Sequence, residues 1–446
     1  MDLSVEIPLS GRREVLLPPS KSLAARELVI AALTSRESLS QAVTALGTCC
    51  DDTAAMARAL TSHNDYTHVI ECTQNHKYQA ISSPSIPLYL RGGADTQQLN
   101  HCYNSNNYIN VEGAGTAMRF LTAFMACQRG RCVTLDGNQR MRHRPIAPLV
   151  DALRHMGATI DYIDRKGFPP LKIEGRKLHG GALALRGDVS SQFTSALLMV
   201  APVAGGITLT LEGDIVSRPY IDMTLALMRH HGIEARWHDG AIVVPAGCYT
   251  AAAPHIEGDW SAASYWLGLK ALAPQLCITL SPLSEHSLQG DHAISAMMEP
   301  LGVRVRYYNN KCVTLEHDAV HLPSRYCRDM AATPDVVPTL AVTLCLLRVP
   351  FALTGVATLR LKESDRLEAL RQELGQLGYC VEAGDNALRY DGNHTPPASP
   401  PVLDPHGDHR LAMALSLAAT RHHGIVINNA QVVTKSYPTW WQQLLQ

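Results

Sequence analysis

Several short segments of this chain place a cationic side chain beside hydroxyls or glycines, directly before an apolar run typical of a helix. The first reads PPSKSLAARELVIAAL from Pro18, where Lys21, Ser22 and Arg26 surround a predicted helix start. Ser22 and Arg26 are four residues apart and therefore share a helix face. Because a helix N-terminus has unpaired N–H groups and the positive end of the dipole, this segment is a candidate anion site.

Further segments repeat the pattern in the first half of the chain. Glycines in GAGTAMR allow backbone N–H groups to approach a ligand, and hydroxyls and an amide in SSQF can bind a phosphate. The candidate residues are Gly115, Thr116, Arg144, Ser190, Ser191, Gln192, Ser217 and Tyr220. An ordinary capped helix with a solvated cation remains the alternative for any single segment.

Three arginines alternate in the segment QRMRHRPI. In an extended strand Arg140, Arg142 and Arg144 would point to one side. The segment itself contains no acidic residue to neutralise them, and Pro145 favours an extended conformation at Arg144. We therefore predict an anion site at this segment, and three arginines on a solvated strand face are the alternative.

Carboxylates join the cations in the second half of the chain. The motifs GDWS, TPDVV, KESDR and GDHR again precede helix-like runs, and a lysine follows near the C-terminus. The residues are Asp259, Asp335, Lys362, Glu363, Arg366, Asp408, Arg410 and Lys435. Surface ion pairs or helix caps are the alternative for each alone, but together they predict many helix N-termini pointing at one anion-binding cleft.

Net charge, composition and the N-terminal sequence argue against several other classes of function. The formal net charge is -1, which argues against a nucleic-acid or membrane-surface binder. Twelve cysteines and 20 histidines include no motif with zinc-ligand spacing, so we expect no metal. The N-terminal residues show no secretory signal and no segment is long enough to span a membrane, which predicts a cytoplasmic protein.

The elements that must position these residues recur along the chain. A helix-like stretch ends at Gly157, Gly232, Gly302 and Gly378, and each glycine is followed by two strand-like runs. The period of about 75 residues implies about six α/β units in 446 residues, grouped into two domains. The polar region 62–110 departs from the pattern and reads as strands with long surface loops, with no assigned chemistry.

The motifs closely resemble those of the 5-enolpyruvylshikimate-3-phosphate synthase family, in family order from Ser20 to Pro438. They are PSKSxxxR, GTAMR, RMxxRPI, SSQFxSALLM, SRPYIDMT, GDxSxASY, KESDRL, DHRxAMA and TKSYP. The resemblance implies an α/β (α+β) fold of two similar domains, each of three βαβαββ units, with helix N-termini directed at the interdomain cleft. The implied domains are residues 1–20 plus 257–446 and residues 21–256.

The resemblance also implies a reaction and its residues. The enolpyruvyl group of phosphoenolpyruvate would move to the 5-hydroxyl of shikimate 3-phosphate with release of phosphate, without metal or organic cofactor, in a monomer. Implied shikimate 3-phosphate contacts are Lys21, Ser22, Arg26, Ser190, Ser191, Gln192, Ser217, Tyr220, Asp335 and Lys362. Implied phosphoenolpyruvate contacts are Lys21, Gly115, Thr116, Arg144, Gln192, Arg366, Arg410 and Lys435.

The chemistry requires one group to donate a proton and another to accept one. The resemblance implies Glu363 as donor to the methylene carbon and Asp335 as base on the 5-hydroxyl, with Lys21 assisting, although the sharing of protons among them stays open. The alternatives are the related transferase acting on UDP-N-acetylglucosamine and a non-catalytic phosphate-sugar binder. Ser22 and the SSQ triplet favour shikimate 3-phosphate.

Overall fold

The structure is a computed structural model that describes residues 1–47, 49–63, 107–188, 190–308 and 311–446. The helices are α1 (Lys21–Thr34), α2 (Arg36–Leu46), α3 (Asp51–His63), α4 (Gly115–Ala126), α5 (Ala147–His155), α6 (Ser191–Val200), α7 (Arg218–His230), α8 (Trp260–Leu272), α9 (Ile294–Met298), α10 (Val337–Leu346), α11 (Arg366–Gln376), α12 (His409–Ser416) and α13 (Trp440–Leu444). Short 3₁₀ helices include Met141–His143, Gly290–Ala293, Glu299–Leu301, Pro334–Val336, Ala357–Leu361, Leu417–Thr420 and Ala430–Lys435.

The strands belong to small mixed sheets. They are β1 (Leu3–Ser4), β2 (Arg12–Leu16), β3 (Tyr108–Asn110), β4 (Cys132–Asp136), β5 (Thr159–Tyr162), β6 (Leu171–Glu174), β7 (Gly181–Arg186), β8 (Ile207–Glu212), β9 (Arg236–His238), β10 (Ala241–Val244), β11 (Cys277–Ser281), β12 (Val303–Tyr308), β13 (Cys312–His317), β14 (Tyr326–Asp329), β15 (Phe351–Thr354), β16 (Tyr379–Ala383), β17 (Ala387–His394), β18 (Val402–Leu403) and β19 (Val426–Ile427).

Four of these sheets share one topology, in which two parallel strands are followed by an antiparallel hairpin. Their orders are β3-β4-β6-β5, β7-β8-β10-β9, β2-β11-β13-β12 and β14-β15-β17-β16. In each sheet a helix precedes the second strand and another precedes the third, in chain order. Each sheet with its helices is therefore a βαβαββ unit. A three-stranded sheet, β1-β19-β18, joins the two ends of the chain. The predicted unit is thus present in four copies in the described residues, while most of the 62–110 region lies outside them.

The four glycines that marked the repeat all adopt the left-handed conformation after their helices. Their φ angles are +96° at Gly157, +83° at Gly232, +88° at Gly302 and +89° at Gly378. Only glycine adopts this conformation without a steric penalty from a Cβ atom. The predicted helix ends are therefore confirmed.

Two separate hydrophobic cores organise the chain. One contains residues between Leu23 and Tyr249, and the other contains residues before Pro18 and after Trp260. The chain passes between the cores through two adjacent segments. The Ser20 N–H donates to the Glu257 carbonyl at 2.8 Å, and the Asp259 N–H donates to the Pro18 carbonyl at 3.0 Å. These crossings bring the start of α1 next to the start of α8.

In the described parts of the chain, no helix combines the length and the apolar character that a bilayer crossing needs.

Candidate active site

A cavity of about 430 Å³ lies between the two cores. The N-terminal ends of α1, α4, α6, α7, α11 and α12, and the 3₁₀ turn that leads into α10, all contribute residues to its wall. Its lining includes these sequence-predicted residues: Lys21, Ser22, Arg26, Gly115, Thr116, Arg144, Ser190, Ser191, Gln192, Ser217, Tyr220, Asp335, Lys362, Glu363, Arg366 and Arg410. Helix dipoles and cations thus point at one enclosed volume, the arrangement that an anionic ligand requires.

Lys435 reaches the site from an adjoining cavity that it lines together with Arg144 and Glu363. Its ammonium group donates to the Gly113 carbonyl at 3.0 Å and lies 3.2 Å from Glu363 Oε1. Lys435 therefore links the C-terminal part of the chain to the glycine loop before α4. The structure brings all the residues implied as substrate contacts, together with Glu363, to this one region.

Asp335 is surrounded by cations. Its Oδ1 accepts from Arg366 at 3.0 Å and from Lys362 at 3.3 Å, and its Oδ2 accepts from Arg410 at 2.9 Å. The Tyr220 hydroxyl donates to Oδ2 at 3.4 Å across the cleft. Burial alone would raise the pKa of Asp335, but these cations outweigh it, and the pKa lies well below the usual value. Asp335 is thus a carboxylate, the state that a base needs.

Glu363 is the second buried carboxylate of the cavity. Its Oε2 accepts from Arg366 at 2.9 Å, and its Oε1 faces Lys435. Burial favours the neutral acid, but Lys435, Arg366 and Arg144 lower the pKa of Glu363 well below its usual value. Without a ligand Glu363 is ionised, which is the state opposite to that of a proton donor.

Lys21 at the start of α1 is paired with Asp52 of α3, Nζ to Oδ2, at 3.0 Å. Burial would lower the pKa of Lys21, but Asp52 and then Glu363 raise it above its usual value. Lys21 is therefore protonated, and it acts as a cation in the ligand-free site.

The Arg26 guanidinium forms several hydrogen bonds to other groups of the protein. It donates to Thr224 Oγ1 at 2.7 Å, to Ser195 Oγ at 3.0 Å and to the carbonyls of Ser22 and Tyr220. It is 2% exposed and joins α1 to α6 and α7. Arg26 borders the cavity mainly as a support for the residues around it.

The prediction of an extended segment that carries three arginines on one side is wrong. Residues 141–143 form a 3₁₀ helix instead of a strand, so the arginines point in different directions. Arg142 donates to Asp136, and Arg140 donates to the Lys362 carbonyl at 3.3 Å. Of the three, only Arg144 lines the main cavity, whereas Arg140 lines the adjoining cavity beside Lys435. Asp136 precedes Arg142 by six residues, and the 3₁₀ turn brings them together.

Gly115, the first residue of α4, lies against Arg144. A Cβ atom at Gly115 would be 2.5 Å from Arg144 Nη1 and 2.9 Å from Cζ. Beside them, Gln192 Nε2 donates to Thr116 Oγ1 at 3.1 Å, which connects α4 to α6. The glycine therefore makes room for a guanidinium in the wall of the cavity.

Three residues that received no substrate contact or catalytic role from the sequence support the site. Asp52 neutralises Lys21, and Asp408 accepts from Arg366 Nε at 2.7 Å while capping α12 through the Arg410 N–H. His409 is fully buried, and its two ring nitrogens have no hydrogen-bond partner in the described residues. Burial, with Lys21 nearby, lowers the pKa of His409 well below its usual value, so the ring is neutral. In the sequence, Asp52 belongs to an acidic pair at the start of α3, and Asp408 and His409 belong to the DHR motif; these patterns could have indicated their roles.

Known proteins resemble this chain over nearly its whole length. The family profile described as EPSP synthase (3-phosphoshikimate 1-carboxyvinyltransferase) matches residues 6–444. A 3-phosphoshikimate 1-carboxyvinyltransferase of Bacteroides fragilis is 39% identical over 440 residues, which are 98% of this chain and 95% of the relative. The Cellvibrio japonicus protein of the same name is 35% identical over 442 residues, which are 98% and 97% of the two chains.

A solved structure of EPSP synthase from Acinetobacter baumannii has the same fold. The TM-score is 0.64 at 19% sequence identity, and the match covers 99% of this chain and 97% of the other. The architecture is therefore the two-domain α/β fold that the motifs implied. Because the profile and the relatives both extend over nearly the whole chain, the chain belongs to the EPSP synthase (3-phosphoshikimate 1-carboxyvinyltransferase) family.

Proposed function

We propose that this chain transfers the enolpyruvyl group of phosphoenolpyruvate to the 5-hydroxyl of shikimate 3-phosphate and releases phosphate. The observation that carries the proposal is the single cavity in which two buried carboxylates, Asp335 and Glu363, lie among cations from both cores. Two anionic substrates and a step with proton donation and acceptance need such a site.

Shikimate 3-phosphate would occupy the side of the cavity formed by α1, α6 and α7. Ser190, Ser191 and Gln192 begin α6, and Ser190 caps it by accepting from the Gln192 N–H at 3.3 Å. N–H groups and hydroxyls at this helix N-terminus are suited to the 3-phosphate. The complete proposed set is Lys21, Ser22, Arg26, Ser190, Ser191, Gln192, Ser217, Tyr220, Asp335 and Lys362, all of which line the cavity.

Phosphoenolpyruvate would lie at the start of α4, facing α11 and α12. Its carboxylate and phosphate match the guanidinium and ammonium groups that surround Glu363. The proposed set is Lys21, Gly115, Thr116, Arg144, Gln192, Arg366, Arg410 and Lys435. In the ligand-free protein Arg366 and Arg410 bind carboxylates of the protein, so the substrate must compete with Asp335 and Glu363 for them.

That competition explains how an ionised Glu363 can become an acid. Arg144, Arg366 and Lys435 lower its pKa in the ligand-free site. When the anionic groups of phosphoenolpyruvate bind these cations, their effect on Glu363 weakens and its pKa rises. Glu363 then takes up a proton and can donate it to the methylene carbon.

The steps balance with these two carboxyl groups. Asp335 accepts the proton of the 5-hydroxyl as its oxygen bonds to C2 of phosphoenolpyruvate, and Glu363 protonates C3. In the second step the ionised Glu363 takes a proton from C3 and the C2–C3 double bond forms again. The C2–O bond to phosphate breaks, and the phosphate leaves with the proton that Asp335 had accepted. Lys21 and the arginines stabilise the charge on the departing phosphate.

The test is phosphate release by the purified chain and by a Glu363→Gln variant. The wild type should release phosphate only with both substrates. Glu363→Gln should lower kcat about 10²–10⁴-fold while still binding shikimate 3-phosphate, since it removes the acid. Glu368→Gln on α11, a half-exposed residue outside the cavity, is the matched control and should keep its kcat.

A second readout tests the proton step separately. Wild-type protein should take up protons from a weakly buffered indicator solution when phosphoenolpyruvate binds, and Glu363→Gln should not. Phosphate release from one substrate alone would contradict the proposed transfer. Unchanged kcat in Glu363→Gln would contradict only the assignment of the acid.

The proposal includes the domain bounds 1–20 plus 257–446 and 21–256, a cytoplasmic location and a monomer. The division of the two hydrophobic cores supports the bounds, and Pro19 pairs with Gly258 where the two crossings meet. The proposed substrate contacts need no residue from a second copy, and the monomer is proposed on that ground. Light scattering across a concentration series would test it.

A further inference from the structure

The chain leaves the core that contains Leu23 and Tyr249 through a segment without regular structure. The structure describes all of residues 249–256, called the connector below, and none of them belongs to a helix or a strand. Directly after the connector, the Glu257 carbonyl accepts from the N–H of Ser20, the residue before α1. A shift of the connector would therefore reach the crossing that adjoins the start of α1.

Two histidines at the C-terminal end of α7 bind carbonyl groups of the connector. His230 Nε2 lies 2.8 Å from the Ala253 oxygen, and His231 Nδ1 lies 3.2 Å from the Thr250 oxygen. A carbonyl oxygen can only accept a hydrogen bond, so each of these two ring nitrogens carries a proton. The Thr250 N–H in turn donates to the His231 carbonyl at 2.9 Å. The connector is thus held against the end of α7.

Glu27 of α1 joins the connector to the second of these histidines. Its Oε1 accepts from the His255 N–H at 3.0 Å, and its Oε2 lies 2.9 Å from His231 Nε2. Glu27 is fully buried, and His231 is 2% exposed. Because Nδ1 already donates to Thr250, His231 either donates to Glu27 as an imidazolium or accepts from Glu27 as a neutral acid. In both cases the pair contains one proton more than a neutral imidazole beside a carboxylate.

Removal of that proton leaves hydrogen-bonding groups that the site cannot satisfy. A neutral imidazole carries hydrogen on one nitrogen only, so His231 could then donate to Thr250 or to Glu27 but not to both. Either the carbonyl loses its donor or two lone pairs face each other in a buried site, and both arrangements are unfavourable. The hold on the connector therefore depends on the shared proton.

The titratable side chains that face His231 are Glu27 of α1, His230 of α7 and His255 of the connector. The ring centroid of His230 is 5.1 Å from that of His231, and the ring centroid of His255 is 6.2 Å from that of His230. Burial lowers the pKa of His231, but its bond to Glu27 raises the pKa overall. The shared proton is therefore bound below about pH 6.5 and is lost as pH rises through the folded-state pKa.

We propose that Glu27 and His231 are positioning residues whose shared proton fixes the connector, and thereby the crossing that adjoins Lys21. The inference rests on the proposed function, in which groups from both cores must meet around the substrates. The two helices that hold the connector also line the cavity, since α1 begins at Lys21 and α7 carries Tyr220 near its start. Loss of the proton would loosen the connector without removing any substrate contact.

The test is Glu27→Gln, which retains both hydrogen bonds but removes the need for the extra proton. Its amide oxygen can accept from the His255 N–H, and its amide nitrogen can donate to neutral His231. Hydrogen–deuterium exchange of the Thr250 and His255 amides, corrected for the intrinsic rate at each pH, measures the hold on the connector. In the wild type, protection should fall about tenfold as pH rises above about 6.5, the effect of one lost hydrogen bond. In Glu27→Gln it should stay constant with pH.

His230→Gln is the matched control, because its amide can also donate to the Ala253 carbonyl while the pair stays intact. It should follow the pH dependence of the wild type. Protection that does not fall with pH in the wild type, or that falls equally in Glu27→Gln, would overturn the role of the shared proton.

Activity measures whether the connector positions the site. The kcat/KM of Glu27→Gln relative to the wild type should be near one below about pH 6.5 and should increase about tenfold at higher pH. A ratio that does not change with pH would overturn the positioning role. Absence of phosphate release by the wild type would instead refute the proposed function. The exchange experiment needs no activity, so the two failures are distinguishable.

Discussion

Gly115→Ala should weaken phosphoenolpyruvate binding because the new side chain would displace the guanidinium of Arg144. The new Cβ atom would lie 2.5 Å from Arg144 Nη1, where an unstrained contact needs about 3.5 Å. The guanidinium must therefore move by about 1 Å. A hydrogen bond of ordinary length does not survive such a shift.

The expected loss of binding free energy for phosphoenolpyruvate is that of one charge-assisted hydrogen bond, about 1.5–3 kcal/mol. This corresponds to an increase of about 10- to 150-fold in the KM for phosphoenolpyruvate. Folding should not suffer, because Gly115 begins α4 and alanine favours a helix. Loss of activity would then reflect the site and not instability.

The assay is steady-state phosphate release with phosphoenolpyruvate varied at saturating shikimate 3-phosphate, together with calorimetric binding of shikimate 3-phosphate. Gly375→Ala in α11 is the matched control, because a Cβ atom there meets no atom within 4 Å. An unchanged KM in Gly115→Ala, or an equal loss of affinity for both substrates, would refute the steric argument.

Two further predictions concern stability and its dependence on pH. Arg366→Met should lower the free energy of unfolding by about 3–5 kcal/mol, because it leaves buried Asp408 without its cationic partner. Arg360→Met breaks a partly exposed ion pair with Asp365 and should lower it by only about 0–1 kcal/mol. Denaturant unfolding of both variants measures the contrast, and equal losses would contradict it. Burial lowers the pKa of His231, but its 2.9 Å bond to Glu27 raises the pKa overall. Its contribution is therefore full below about pH 6.5 and is lost as pH rises through the folded-state pKa. The destabilisation of His231→Gln should accordingly shrink as pH rises above about 6.5. A destabilisation that stays constant with pH would contradict this sign.

The sequence alone determined the local elements and the list of chemical groups. Helix ends at Gly157 and Gly378 were predictable because a residue that follows a helix in the left-handed conformation is usually glycine. The buried face of α11 was predictable from the spacing of its leucines, and Leu367 and Leu370 are indeed fully buried. Motifs in family order also predicted the fold and the reaction.

Tertiary structure decided which groups share an ion pair and therefore their charge states. Asp335 and Arg410 are 75 residues apart, and Lys21 and Asp52 lie on different helices, so no local pattern relates them. Local sequence also misplaced Arg142, since a 3₁₀ turn and Asp136 removed it from the cavity. Electrostatic interactions depend on distance in space and on burial, and only the folded chain sets both.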